Sequence, residues 1–188
     1  GDNTSEEYTA NVNVIPVNDK PTTETKYTFS VSENPSADEK LGSVTVSDVA
    51  NEEGVDTYTF ALVSEDAACT GCFVLTSSGD VKVKGSKTFD YYTKSSYTLT
   101  AKVTDDAKTE KNYGLTGNPE TSKNFTIVIN VKNQNHAPTI SDQPFTLPEK
   151  NKTATGIVDW TSAKVVGTVS AKDVDNDNLT FKVVTADI

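Results

Sequence analysis

Residues 173–178 read DVDNDN, placing three carboxylates (Asp173, Asp175, Asp177) and two amides (Asn176, Asn178) just ahead of the apolar run LTFKVV. Two chemistries suit such a cluster. Like charges packed beside a strand are ordinary in a solvated turn. Equally, side chains alternating along an extended segment present several oxygens on one edge, and a hard cation such as Ca²⁺ takes about six to eight oxygen ligands. The residue types alone leave both readings open.

The other reactive residues are sparse. The two cysteines form Cys69-Thr70-Gly71-Cys72, and the single histidine, His136, lies far along the chain, so the inventory falls short of a four-ligand zinc site. A thioredoxin-like motif needs its first cysteine at a helix N-terminus, and the pattern here contains no helix. A short disulfide tying a turn, or two reduced thiols, remains; the disulfide between Cys69 and Cys72 is the expectation. Neither Gly-x-Ser-x-Gly, His-Glu-x-x-His nor a phosphate-cradling glycine loop occurs. Pairs such as Asp105-Asp106 suggest glycosidase carboxylates only as any acid-rich surface does. The chain reads as no enzyme.

Charge narrows the partners. The net charge is −10 over 188 residues, and every cationic side chain is lysine. Phosphate backbones and anionic membrane surfaces call for clustered Lys and Arg, so neither nucleic acid nor a lipid surface fits. No apolar run approaches the ~20 residues of a membrane span, so insertion is not expected. Gly1 starts in mid-pattern and methionine is absent, which reads as a segment of a longer protein. Thr, Val, Ser, Asn and Asp dominate, the composition of an extracellular all-β module.

The elements that must position these residues follow from period-two alternation, with no sustained helical period anywhere. KYTFSV from Lys26 puts Tyr27, Phe29 and Val31 on one face. SVTVSD (43–48), TYTFAL (57–62), CFVL (72–75), DVKV (80–83), YTLTAKV (97–103) and NFTIVINV (124–131) alternate likewise. Seven short strands separated by turn signals predict an antiparallel two-sheet sandwich of the Greek-key, immunoglobulin-like kind. Residues 105–123 form a long aperiodic connection, of the sort that is functional or mobile. The chain also repeats: NVNVIPVNDKPT (11–22) aligns without a gap on VINVKNQNHAPT (128–139), while FSVSENP (29–35) is echoed by FTLPEKN (145–151). The expected organisation is residues 1–20 as the last strand and linker of a preceding repeat, 21–137 as a complete domain and 138–188 as the opening of another.

With those residues in place the chain resembles cadherin repeats, especially the divergent cadherin-like modules of bacterial surface proteins. Glu33 in SEN resembles the family's early glutamate motif, and SKTFDYY (86–92) its Leu-Asp-Tyr-Glu segment. The VTD ending at Asp105 resembles its Ala-x-Asp, and DVDNDN its Asp-x-Asp with the following Asn. Departures are present as well. Tyr92 stands where a second carboxylate belongs, Lys132, Gln134, Asn135 and His136 replace most linker acids, and the middle repeat's Asp-x-Asp has become Asp48-Val49-Ala50.

The resemblance implies a cadherin-like sandwich in tandem repeats, with Ca²⁺ held between consecutive repeats of an extracellular, cell-surface rod. Its partners would be other repeats or cell-surface proteins. Carried over residue by residue, it assigns Glu33, Asp90, Asn135, Asp173, Asp175 and Asn178 to one Ca²⁺ joint of weakened affinity. The earlier joint, with Asn18, Asp19, Asp48 and Asp105, would not bind. The competing expectation is a glycan-binding accessory module of a secreted polysaccharide-degrading protein, for which Tyr91, Tyr92, Tyr113 and Trp160 are the candidate aromatics.

Overall fold

Strands form here because alternate side chains are apolar and β-branched or aromatic residues fill both faces. The computed structural model describes residues 1, 5–15, 17–48, 56–146 and 165–184, and the chain divides into two compact units, Gly1–Gln134 and Asn135–Ile188. Trp160 and much of the segment 145–151 lie outside the described residues.

Among the described residues the first unit carries seven strands in two sheets. One sheet has the order β1-β7-β6-β3, from β1 (Lys26–Ser32), β7 (Phe125–Lys132), β6 (Ser96–Asp105) and β3 (Tyr58–Ser64). The other has the order β2-β5-β4, from β2 (Lys40–Ser43), β5 (Asp80–Val83) and β4 (Phe73–Leu75). β6 runs antiparallel to β7, with Leu99 opposite Ile127, and to β3, with Phe60 opposite Val103. Against the antiparallel expectation, β1 pairs with β7 in parallel, Lys26 opposite Thr126 through to Ser32 opposite Lys132. The fold is an all-β, immunoglobulin-like sandwich.

Its core is the meeting of the inward rows. Tyr97, Leu99, Ala101 and Val103 of β6 and Phe125, Ile127, Ile129 and Val131 of β7 are buried against Phe73, Leu75, Val81 and Val83 of the smaller sheet. Phe73, Phe89 and Tyr97 form an aromatic trio with ring centroids 5.4–5.6 Å apart. Gly79 turns β4 into β5 at φ +85°, and a Cβ there would lie 2.9 Å from the Val44 carbonyl oxygen, so the turn requires glycine.

Two further expectations need correction. Alternation places the second strand at 43–48, but the ladder occupies Lys40–Ser43. The register explains this: Ser43 faces Asp80, the first residue of β5, and Val44 already donates to the Gly79 carbonyl inside the turn. Beyond that point the described residues supply no partner strand, and the segment is held by the Thr22–Ser47 bridge and by the Tyr27 hydroxyl, which donates to the Thr45 carbonyl at 2.8 Å. Val44 stays buried, so the apolar face was correct and the hydrogen-bonded span was not. The second correction concerns helix. Ala67–Cys69 is a 3-10 turn and Lys108–Asn112 a short α-helix, α1. Each is too short to show a helical period, and each is organised by side-chain acceptors.

In the 3-10 turn the acceptor is Asp66, whose Oδ1 takes the Ala68 N–H at 3.0 Å. That bond, together with the Thr98 N–H and the Lys94 ammonium, outweighs partial burial and holds the carboxyl below its ordinary value. Cys69 and Cys72 are disulfide-bonded across a tight turn, Cα atoms 5.4 Å apart, with Gly71 at φ +70°. So short a loop removes little entropy from the unfolded chain. Urea unfolding with and without reductant should therefore differ by well under the ~3 kcal/mol expected for a loop of about 15 residues; a larger loss would contradict this.

Candidate functional site

Two carboxylates of the implied joint lie in the first unit. The inward row of β1, Tyr27, Phe29 and Val31, continues into Glu33, which is only 2% exposed. A carboxylate so placed must be hydrogen-bonded. Its Oε1 accepts from Tyr91 N at 2.7 Å and its Oε2 from Gln134 N at 3.2 Å, while its carbonyl accepts from Phe89 N at 2.7 Å. Glu33 thereby holds both neighbours of Asp90. Asp90 is itself exposed and caps the turn that follows: its Oδ1 accepts from Tyr92 N and Thr93 N at 2.8 and 3.1 Å, and its Oδ2 from Thr93 Oγ1 at 2.7 Å.

The other four residues, Asn135, Asp173, Asp175 and Asn178, lie in the second unit. Here the acid cluster has a local job. Asp173 Oδ1 accepts from Asp175 N at 2.8 Å, closing a turn in which Asn176 takes φ +59°. Asp175 Oδ2 accepts from His136 N at 2.6 Å and faces His136 Nδ1 at 3.2 Å. Thr139 and Lys172 exchange main-chain hydrogen bonds of 2.7 and 2.9 Å beside it. Asn135, Asp177 and Asn178 are exposed. The six implied ligands thus fall into two groups, one in each unit.

All six offer oxygen, the donor type of a hard cation, and a carboxylate oxygen that accepts one N–H keeps a further lone pair. Among the described residues, however, no group of three or more His, Cys, Asp or Glu side chains is gathered to hold a metal.

The opposite pole of the first unit carries a cluster that counting motifs missed. The inward row of β6 ends in Asp105, which is 4% exposed. Its Oδ1 accepts from Ala107 N, Glu120 N and Asn18 Nδ2 at 3.1, 3.1 and 3.0 Å. Glu110 of α1 is buried too; its Oε1 accepts from Asn18 N at 3.0 Å and its Oε2 from Asn118 N at 3.1 Å. Asn18 Nδ2 also donates to the Asn118 carbonyl at 3.0 Å. Buried Asp56 accepts from Thr109 N at 2.6 Å. Asp106 takes the N–H and hydroxyl of Thr57 at 3.1 and 2.8 Å. Burial opposes ionisation of Asp106, but these bonds and the Lys108 N–H prevail, and its carboxyl sits below the ordinary value. Residues 105–123 are thus built around carboxylates that accept main-chain N–H groups. Asp105 and Asp106 serve different donors.

Of the glycan candidates Trp160 lies outside the described residues, and the three tyrosines fall at opposite poles of the first unit. Tyr91 and Tyr92 meet edge to face, centroids 5.4 Å apart and planes at 90°, and Tyr92 Oη accepts from Asn133 Nδ2 at 3.2 Å. Tyr113 follows α1 at the other pole. No helix of the described residues is long and apolar enough to cross a membrane.

No protein-family model matches the sequence, and no curated protein does. Solved structures do. The extracellular domain of protocadherin GammaB4 superposes at TM-score 0.55 and 19% identity over 85% of this chain and 24% of its own. Mouse Cadherin-23 EC22-24 gives 0.52 and 25% identity over 85% of this chain and 44% of its own. The human Desmocollin-1 ectodomain gives 0.52 and 18% identity over 65% of this chain and 22% of its own. The chain therefore spans less than half the length of these ectodomains. The likeness is one of fold: the sandwich is cadherin-like.

Proposed function

We propose that the chain is a non-enzymatic, extracellular structural and adhesive module, one of a tandem series in a cell-surface rod, whose partners are other repeats or surface proteins. The observation that carries the reading is the parallel pairing of β1 with β7. Parallel first and last strands make the chain enter the sandwich at one pole and leave at the other. That is what end-to-end stacking needs, whereas the termini of most domains lie close together. The polar anchoring at both poles supports it: Asn18 is bound on the way in, and Gln134 is bound by Glu33 on the way out. The only histidine is engaged by Asp175, consistent with a structural assignment.

In such a series Ca²⁺ would be held by Glu33, Asp90, Asn135, Asp173, Asp175 and Asn178, the set the resemblance implies. Ligand charge is reduced by Tyr92 and the amides, so affinity falls in the weak extracellular range of roughly 10⁻⁴–10⁻³ M. A cation that binds only the folded form at a hundredfold excess over Kd stabilises it by about 2.7 kcal/mol. The test is thermal melting in about 10 mM Ca²⁺ against chelator, repeated with Asp173→Ala and Asp175→Ala. The melting temperature should rise with Ca²⁺ in the parent protein and less in either variant. Identical melts throughout, with no heat on titration, would make the joint a metal-free hinge.

A further inference from the structure

The entry pole stands apart from the joint above, because its partners are already supplied by the protein. Asn18 belongs to the segment leading into the sandwich; its backbone N–H donates to the buried Glu110 Oε1 at 3.0 Å, and its side-chain amide donates to the buried Asp105 Oδ1 at 3.0 Å and to the exposed Asn118 carbonyl at 3.0 Å. The acceptors come from the end of β6 and from the 105–123 connection, some ninety residues away in sequence. That connection is in turn fixed to the sandwich at many points. Asp56 binds Thr109 N, the Thr104 and Thr121 hydroxyls share a hydrogen bond of 2.8 Å, and Ser122 N donates to the Val103 carbonyl at 2.9 Å. Gly117, at φ +64°, lies where a Cβ would come 2.8 Å from the Ala107 carbonyl oxygen, so the loop closes tightly over α1.

We propose that Glu110 and Asp105 form a metal-independent latch that clamps Asn18, making the 105–123 connection the device that fixes the incoming segment to the sandwich. Hydrogen bonds to ionised acceptors are about twice as strong as neutral ones, and burial strengthens them further. An amide is suited to this role: it donates to carboxylates where an aspartate would repel them. The latch stands on contacts within one module. Only its consequence, an entry joint held without calcium, rests on the tandem reading.

The test is amide hydrogen exchange on the full 188-residue chain in chelator. Asn18 should be protected in the parent protein. In Glu110→Gln, which keeps the shape but turns an acceptor oxygen into a donor amide, and in Glu110→Ala, exchange at Asn18 should be about tenfold faster or more, tenfold corresponding to ~1.4 kcal/mol. Amides of Leu99 and Ile127 should be unchanged in both, showing that the fold is intact. Equal Asn18 protection in parent and variants would overturn the latch, as would protection in the parent that appears only when Ca²⁺ is added. Because the readout needs no metal, its failure leaves the calcium melt standing, and the failure of that melt leaves the latch untouched.

Discussion

Phe73→Ala should lower the unfolding free energy of the sandwich by about 3–5 kcal/mol, the range for removing a buried aromatic. Phe73 is 2% exposed, opens β4, stacks on Phe89 at 5.4 Å and touches Tyr97 at 5.6 Å. Its two neighbours come from different parts of the chain, one from the irregular segment after β5 and one from β6. The cavity cannot collapse without moving one of them, so little of the loss should be recovered by relaxation. Phe89 also donates its N–H to Glu33, so the disturbance should reach the turn carrying Asp90. Phe73→Leu, closer in volume, should cost much less. Urea unfolding with the slope held in common measures both variants. A loss below about 1 kcal/mol for the alanine variant would mean that the trio is not a support of the core.

Glu33→Ala should come next, at roughly 2–5 kcal/mol. The substitution leaves Tyr91 N and Gln134 N, which lie on exposed residues, without the carboxylate oxygens they now donate to, and a hydrogen bond to a charged group contributes about 1.5–3 kcal/mol. Glu33→Gln retains one acceptor and should lose less than half as much. Measured in chelator, the difference between the two variants reports the hydrogen bonds alone; repeated in Ca²⁺, it adds the contribution of the proposed exit joint. If both substitutions are neutral in chelator, Glu33 is not the anchor of that pole.

The sandwich was legible because its strands are short, alternate strictly and are separated by turn residues. Tyr97, Leu99, Ala101 and Val103 announce a buried face without any knowledge of their partners. β2 was misplaced because alternation reports which side chains are covered and says nothing about where the neighbouring strand stops. The entry pole was illegible for a different reason. Glu110 lies in a stretch with no period, and its burial depends on contacts with Asn18 and Asn118 that no local pattern encodes. One signal was available: the inward row of β6 runs on into Asp105, and a carboxylate at the end of a buried row demands donors, which the following residues were the nearest to supply. The cluster at 173–178 was conspicuous, yet its arrangement was hidden, because an Asx turn and a clamp on His136 use the same residue types as a cation shell.

The parallel ladder between β1 and β7 also decides how the sandwich meets mechanical tension. Pulling on the two ends of the module draws β1 and β7 in opposite directions along their common axis. The pairs from Lys26–Thr126 to Ser32–Lys132 are then sheared together and share the load. In an antiparallel hairpin pulled from its open end, the bonds would break one after another, each bearing the whole force in turn. A rod made of such modules resists stretching at the seam where its own first and last strands lie side by side.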